Sequence, residues 1–140
     1  MKRIVFFSLI LSFLMSSMVS EAQNKKASKA KSTVSNKIEV FYFHYTRRCI
    51  TCNAVENVTK ETIAELYPTQ SKSGQITFKS INLDEKENEA IAKKCQSEGQ
   101  SLLFMGKGKR VDLTDKGFMY AKSSPEKLKA EIKKTIDTML

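Results

Sequence analysis

Two cysteines separated by two residues, Cys49-Ile50-Thr51-Cys52, follow closely on the apolar run Ile38-Glu39-Val40-Phe41-Tyr42-Phe43. That juxtaposition constrains the chain more than any other feature. A pair so spaced can close into a short disulfide ring. Where the first cysteine opens a helix, its thiolate also gains from unpaired backbone N–H groups and from the helix dipole. At this point the pair reads as a redox couple, as half of a metal site, or as a covalent staple.

The chain begins with the basic Met1-Lys2-Arg3, then the apolar Ile4-Val5-Phe6-Phe7-Ser8-Leu9-Ile10-Leu11-Ser12-Phe13-Leu14, and reaches Ser20-Glu21-Ala22. A basic start, an apolar stretch and a small-x-small site predict a secretory signal peptide over residues 1–22. An uncleaved anchor is the alternative, since the apolar stretch is near the lower length limit for spanning. Either way Lys2 and Arg3 favour the inner side and send the remainder outside the cytoplasm, to the periplasm or the medium. No cysteine precedes Cys49 to carry a lipid.

Past residue 22 the chain has 22 basic and 14 acidic side chains, a net charge of +8. Five of the basic residues lie within 23–37, a segment with no acid and almost nothing to bury. It is expected to be a flexible basic leader. The remainder, 38–140, is enough for one domain and carries only +3. Nucleic-acid binding would need Lys and Arg gathered on a folded face, so no nucleic-acid partner is expected. The leader implies at most weak attraction to an anionic membrane surface. A monomer is the expected assembly.

Three cysteines cannot all pair within one molecule, and they are too few for a disulfide scaffold. Their role is expected to be chemical. Ile38 to Tyr45 is rich in β-branched and aromatic residues, which suits a central strand buried on both faces. After the cysteine pair, Val55, Val58, Thr62 and Leu66 recur at helical spacing, and Pro68 and Gly74 mark an exit and a loop. Ile76, Phe78, Ile81 and Leu83 predict a second strand with an irregularity near Ser80. A short helix follows around 87–95, with Ile91 and Cys95 on one face. Leu102 to Met105 predicts a third strand, Gly106-Lys107-Gly108-Lys109 a turn without a phosphate-binding motif, and Val111 with Leu113 the return strand. Ser124 as N-cap, Pro125 in the first turn and the stripe Leu128, Ile132, Ile136, Met139 predict a closing helix. The order predicts an α/β fold: a small mixed sheet with helices on its faces.

This order, with the cysteine pair between first strand and first helix, resembles the thioredoxin superfamily over residues 38–140. The segments that carry the likeness are IEVFYFHYTRRCITC, ITFKSINLD, IAKKCQSEGQSLLF, the GKGKRV hairpin and the final helix. Within the superfamily the chain is most similar to small exported thioredoxin-like proteins of the ArsF type. The resemblance implies a central mixed sheet flanked by helices, Cys49 as nucleophile and Cys52 as resolving thiol. The residues point the same way, because a helix start and the charges of Arg47 and Arg48 would favour a thiolate at Cys49.

Two departures from the superfamily pattern stand out. A buried acid usually lies six residues before the first cysteine, where this chain has Phe43. The superfamily's cis-proline falls on Gln100 or Ser101, where a trans bond is expected and a polar side chain faces the cysteines. His44, the sole histidine, is expected to be a satisfied structural residue under the first helix. Its alternative role is that of a base for Cys52. Cys95 is expected to be a buried, inert small hydrophobe. The alternative is a three-thiolate site of Cys49, Cys52 and Cys95 for a soft metal or trivalent arsenic. Zinc is weaker still, since its fourth ligand would have to be His44.

The sequence thus predicts an exported thiol–disulfide oxidoreductase. It would act on protein thiols and disulfides, or on a membrane or periplasmic redox partner, with no organic cofactor and no metal. The alternatives are a non-enzymatic module binding a soft metal or arsenite, and an interaction domain with a structural disulfide.

Overall fold

Residues 38–44 form the strand that organises the molecule, and their composition explains why. Ile38, Val40, Phe41, Tyr42 and Phe43 are all buried, so both faces of this strand are covered. The computed structural model describes residues 36–140. The expected signal peptide at 1–22, and the basic leader as far as residue 35, lie outside the described residues.

β1 (Ile38–His44) pairs in parallel with β2 (Ile76–Asn82) and antiparallel with β3 (Ser101–Gly106), which pairs antiparallel with β4 (Lys109–Asp112). The sheet is mixed, four-stranded and ordered β2-β1-β3-β4. The β1–β2 ladder runs without a break from Ile38 opposite Ile76 to His44 opposite Asn82, so the irregularity expected near Ser80 is absent. The apolar residues of β2 change face instead. Phe78 packs with the first core cluster and Ile81 with the second. An edge strand that is half polar tolerates this without slipping register.

Side chains alternate across β1 and build two cores. Val40 and Tyr42 meet Val55, Val58 and Ile63 of α1 (Ile50–Leu66), together with Leu128, Ile132 and Ile136 of α5 (Pro125–Asp137). Phe41 and Phe43 meet Ala92 and Cys95 of α3 (Glu89–Cys95) on the opposite face. The result is an α/β fold of thioredoxin-like topology, a central mixed sheet flanked by helices. The α5 stripe of Leu128, Ile132 and Ile136 is wholly inside, as is Met139 just past the helix end, all at 0% exposure. Each such burial stabilises by about 1.5–3 kcal/mol. The Tyr67 hydroxyl then latches the end of α1 to α5 by donating to Asp137 Oδ1 at 2.6 Å. Burial, reinforced by that carboxylate, pushes the phenol well above its usual range.

Several boundaries differ from the sequence reading. Pro68 opens a short helix, α2 (Pro68–Lys72), rather than a loop, because proline is tolerated in a first helical turn. A 3₁₀ turn at Lys86–Asn88 precedes α3. Ser124 is the residue before α5, but its side chain makes no capping bond. Lys107 and Gly108 both have positive φ, the turn that a two-residue hairpin favours. Leu113 ends outside the strand, and a further helix, α4 (Thr114–Tyr120), was not foreseen. Gly117 conceals it in the sequence, since glycine is a poor helix former. The helix needs that glycine, because a Cβ there would lie 3.3 Å from Val55 Cγ1 and 3.6 Å from Leu102 Cδ2.

Gly117→Leu should therefore overpack the contact between α4, α1 and β3 and cost about 1–3 kcal/mol. Met119→Ala, on the exposed side of the same helix, should change stability by no more than about 0.5 kcal/mol. Urea unfolding of both variants, read as midpoints at unchanged slope, checks the difference.

Candidate functional site

The site begins where β1 ends. The connection that follows is tied to the end of β2: the Thr46 N–H donates to Asp84 Oδ2 at 2.7 Å, and Asn82 Nδ2 donates to Thr46 Oγ1 at 2.9 Å. The Thr46 N–H holds the Asp84 carboxyl below its ordinary pKa. Anchored in this way, the loop delivers Cys49 to the N-cap of α1 in an extended conformation, with φ −83° and ψ 166°. Cys49 Sγ accepts the Cys52 N–H at 3.1 Å, the bond a serine or aspartate side chain would usually take. The first turn carries no acidic side chain, so the sulfur has the positive helix end to itself.

Cys49 and Cys52 are joined as a disulfide with their Cα atoms 5.1 Å apart. The two sulfur-bearing residues differ sharply in access. Cys49 is exposed and Cys52 is only 3% exposed. Ile50, between them, is 74% exposed and leaves an apolar side chain beside the outer cysteine. An open groove of about 540 Å³ is lined in part by Ser97, Glu98, Gln100, Arg110, Asp112 and Asp115; neither cysteine lines it, and Gln100 is its link to the pair.

Gln100 reaches the pair directly, with its Nε2 3.4 Å from Cys52 Sγ. Ser101 turns away, pairs opposite Phe43 in the sheet and shares a 2.8 Å bond with Ser97 Oγ. Every peptide bond among the described residues, including Gln100–Ser101, is trans. Phe43 faces the α3 core, so the side chain at the end of β1 that reaches Cys52 is Tyr42. The Tyr42 hydroxyl donates to the Cys52 carbonyl at 2.9 Å. Burial raises the Tyr42 pKa, against the smaller opposing pull of Arg48, and the phenol stays protonated as a donor.

Arg47 and Arg48 part company. Arg47 is exposed in the loop. Arg48 lies over the Tyr42 ring, 5.6 Å from its centroid, and forms an ion pair with Glu56. Its charge is therefore answered by a carboxylate rather than left for Cys49. Glu56 also receives Lys60 Nζ at 2.6 Å and is itself 6% exposed. Burial works to raise its pKa, but the bonds from Lys60 and Arg48 outweigh that and hold it below its ordinary value. The sequence reading missed Glu56. Its signal is its position four residues after Cys52, on the same helical face as the buried Cys52, Val55 and Thr59.

His44 Nδ1 donates to the Tyr45 carbonyl at 2.9 Å, and the ring stacks on Tyr42 with centroids 5.9 Å apart. Cys95 is buried at 1% exposure among Phe41, Phe43, Ala92 and Leu103, on the sheet face opposite α1. The three-thiolate site of Cys49, Cys52 and Cys95 is thus not assembled, because the sheet separates the third thiol from the pair. Burial also pushes the Cys95 thiol pKa up, which disfavours a thiolate ligand. Among the described residues no group of three or more His, Cys, Asp and Glu side chains is placed to hold a metal.

The Cys49–Cys52 disulfide thus sits at the strand-to-helix junction of an α/β fold of thioredoxin-like topology. No protein-family model matches the chain. No curated protein matches it either. Among solved structures, the chain is similar to that in the "Crystal structure of Trxlp from Edwardsiella tarda EIB202", at 14% identity and a TM-score of 0.46, over 71% of this chain and 84% of that one. The sheet order and the position of the disulfide at the start of α1 define the fold independently of that likeness.

Removing the charge at Glu56 should be costly only where the group is ionised. Its folded pKa is lowered, so it stabilises the fold above its ordinary value of 4.5 and ceases to do so as pH falls through the folded pKa. Glu56→Gln should lose about 1–3 kcal/mol at neutral pH by leaving the partly buried Arg48 without its charged partner. The gap between wild type and variant should close on acidification below 4.5. Denaturant unfolding of both proteins across that pH range measures it.

Proposed function

We propose that this chain is an exported thiol–disulfide oxidoreductase that exchanges two electrons through Cys49 and Cys52. The observation that carries the reading is the unequal exposure of the pair. Cys49 is exposed at a helix N-terminus, and Cys52 is buried behind it. A disulfide serving only as a staple gains nothing from one exposed sulfur, whereas exchange requires one sulfur that a partner can reach.

The electron count is simple. A substrate thiolate attacks Cys49 Sγ, the Cys49–Cys52 bond breaks, and its electron pair leaves on Cys52. A second substrate thiolate then attacks the substrate sulfur of the mixed disulfide and releases Cys49. The substrate dithiol becomes a disulfide and the protein a dithiol; the reverse sequence reduces a substrate disulfide. Ile50 and the groove beside Gln100 supply surface against which a polypeptide partner would lie. Protein thiols and disulfides, or a membrane or periplasmic redox partner, are the proposed reactants, and no organic cofactor is needed.

The basic start and apolar stretch at the N-terminus support an extracytoplasmic location, periplasmic or secreted, where such exchange is productive. Within the superfamily, the FHYTRRCITC and GQSLLF segments support a place beside the small exported ArsF-type proteins.

In a glutathione series the Cys49–Cys52 couple should titrate reversibly. Cys52→Ala should accumulate mixed disulfides at Cys49, and Cys49→Ala should accumulate far fewer. Mass spectrometry of alkylated protein reads both. A pair that stays oxidised throughout the series, with no trapping in Cys52→Ala, would sink the proposal.

A further inference from the structure

We infer that Gln100 is a catalytic residue: its side-chain amide donates to Cys52 Sγ and makes the inner sulfur the leaving group when a substrate thiolate opens the disulfide. The inference rests on the oxidoreductase reading and gives that site its preferred direction. The geometry is specific. Nε2 stands 3.4 Å from Cys52 Sγ, and a disulfide sulfur has no hydrogen to offer, so the amide must present its N–H.

The two sulfurs have different donors. Cys49 Sγ takes the backbone N–H of Cys52, a bond built into the helix start. The helix therefore does not serve the sulfur of Cys52 itself, and the Tyr42 hydroxyl binds the Cys52 carbonyl rather than its sulfur. The donor that reaches Cys52 Sγ comes from the loop before β3. That loop is braced. Ser97 Oγ donates to the Gly99 carbonyl at 2.9 Å, and Arg110 Nε donates to the Cys95 carbonyl at 3.0 Å.

Attack on exposed Cys49 sends the electron pair to Cys52, which becomes a thiolate in a site only 3% exposed. Water has little access there to solvate the new charge, so an amide already in place counts for more than it would at the surface. A charge-assisted hydrogen bond is also stronger than the bond to the neutral disulfide. Gln100 thus stabilises the separating charge more than the ground state, which is the condition for raising a rate. The same bond stabilises the reduced form and biases the pair toward accepting electrons from dithiols.

The test uses the oxidised full chain, reduced by dithiothreitol, in wild type, Gln100→Ala and Gln100→Met. Methionine keeps the length of the side chain and removes the donor. Both variants should open the disulfide about three- to tenfold more slowly. Their glutathione equilibria should shift toward the disulfide by a similar factor. In a Cys49→Ser, Cys95→Ala background, thiolate absorbance should show the Cys52 pKa rising by about one unit in either Gln100 variant. Wild-type rate and Cys52 pKa in Gln100→Met would overturn the assignment, since packing alone would then suffice. So would unchanged behaviour in both variants. A wild-type disulfide that dithiothreitol fails to open would overturn this assignment together with the oxidoreductase reading beneath it.

Discussion

Pairing on both edges and burial on both faces leave β1 no freedom of register, and the position of the cysteine pair depends on that constraint. Slipping β1 by one residue would exchange Tyr42 for Phe43 on the α1 face and send a phenol hydroxyl into the α3 core, among Cys95, Ala92 and Leu103. Because β1 is fixed, the Thr46 loop reaches Asp84 and Asn82, and Cys49 arrives at the helix start with its sulfur facing the Cys52 N–H. Covalent chemistry at the surface is thus set by hydrophobic burial several residues upstream.

The same constraint explains why the two cysteines are unequal. Helix geometry carries the chain inward after Cys49, so Cys52 falls beneath the first turn while Cys49 remains at its rim. A helix end can supply N–H groups only to the sulfur at the cap. The inner sulfur must find its partner elsewhere, and Gln100 stands immediately before β3, the strand hydrogen-bonded to β1. Sheet pairing therefore positions both donors, one through the β1–α1 junction and one through the loop entering β3.

Much of this was legible in the sequence, for physical reasons that differ by element. The β1 run and the α5 stripe could be read because burial imposes a period on residue type, and the cysteine pair marked the junction between strand and helix. The face change in β2 resembled an irregularity because an edge strand is only half constrained. The α4 helix was invisible because Gly117 answers to a close approach by Val55 and Leu102, and such contacts between distant segments leave no periodic trace. The place of Gln100 beside the cysteines could be anticipated from its position before β3. Its selection over Ser101 could not, because that depends on which of two adjacent side chains points toward α1.

Charge was the least legible property. Two adjacent arginines before Cys49 suggest a positive field at the nucleophile, yet Arg48 folds back over Tyr42 and is answered by Glu56. Glu56 is in turn shared with Lys60, so this buried carboxylate is compensated by cations on two sides. A lone buried carboxylate would be driven toward its neutral form; this one is held ionised by its partners. Six residues before Cys49, β1 carries Phe43, which serves the opposite core, while a carboxylate enters from α1 one turn below Cys52. Fixed in charge by its ion pairs, Glu56 is suited to holding an electrostatic balance beneath the disulfide and poorly suited to passing a proton. Stabilisation of the leaving sulfur therefore falls to a neutral donor, which can strengthen its bond as charge develops without itself changing protonation.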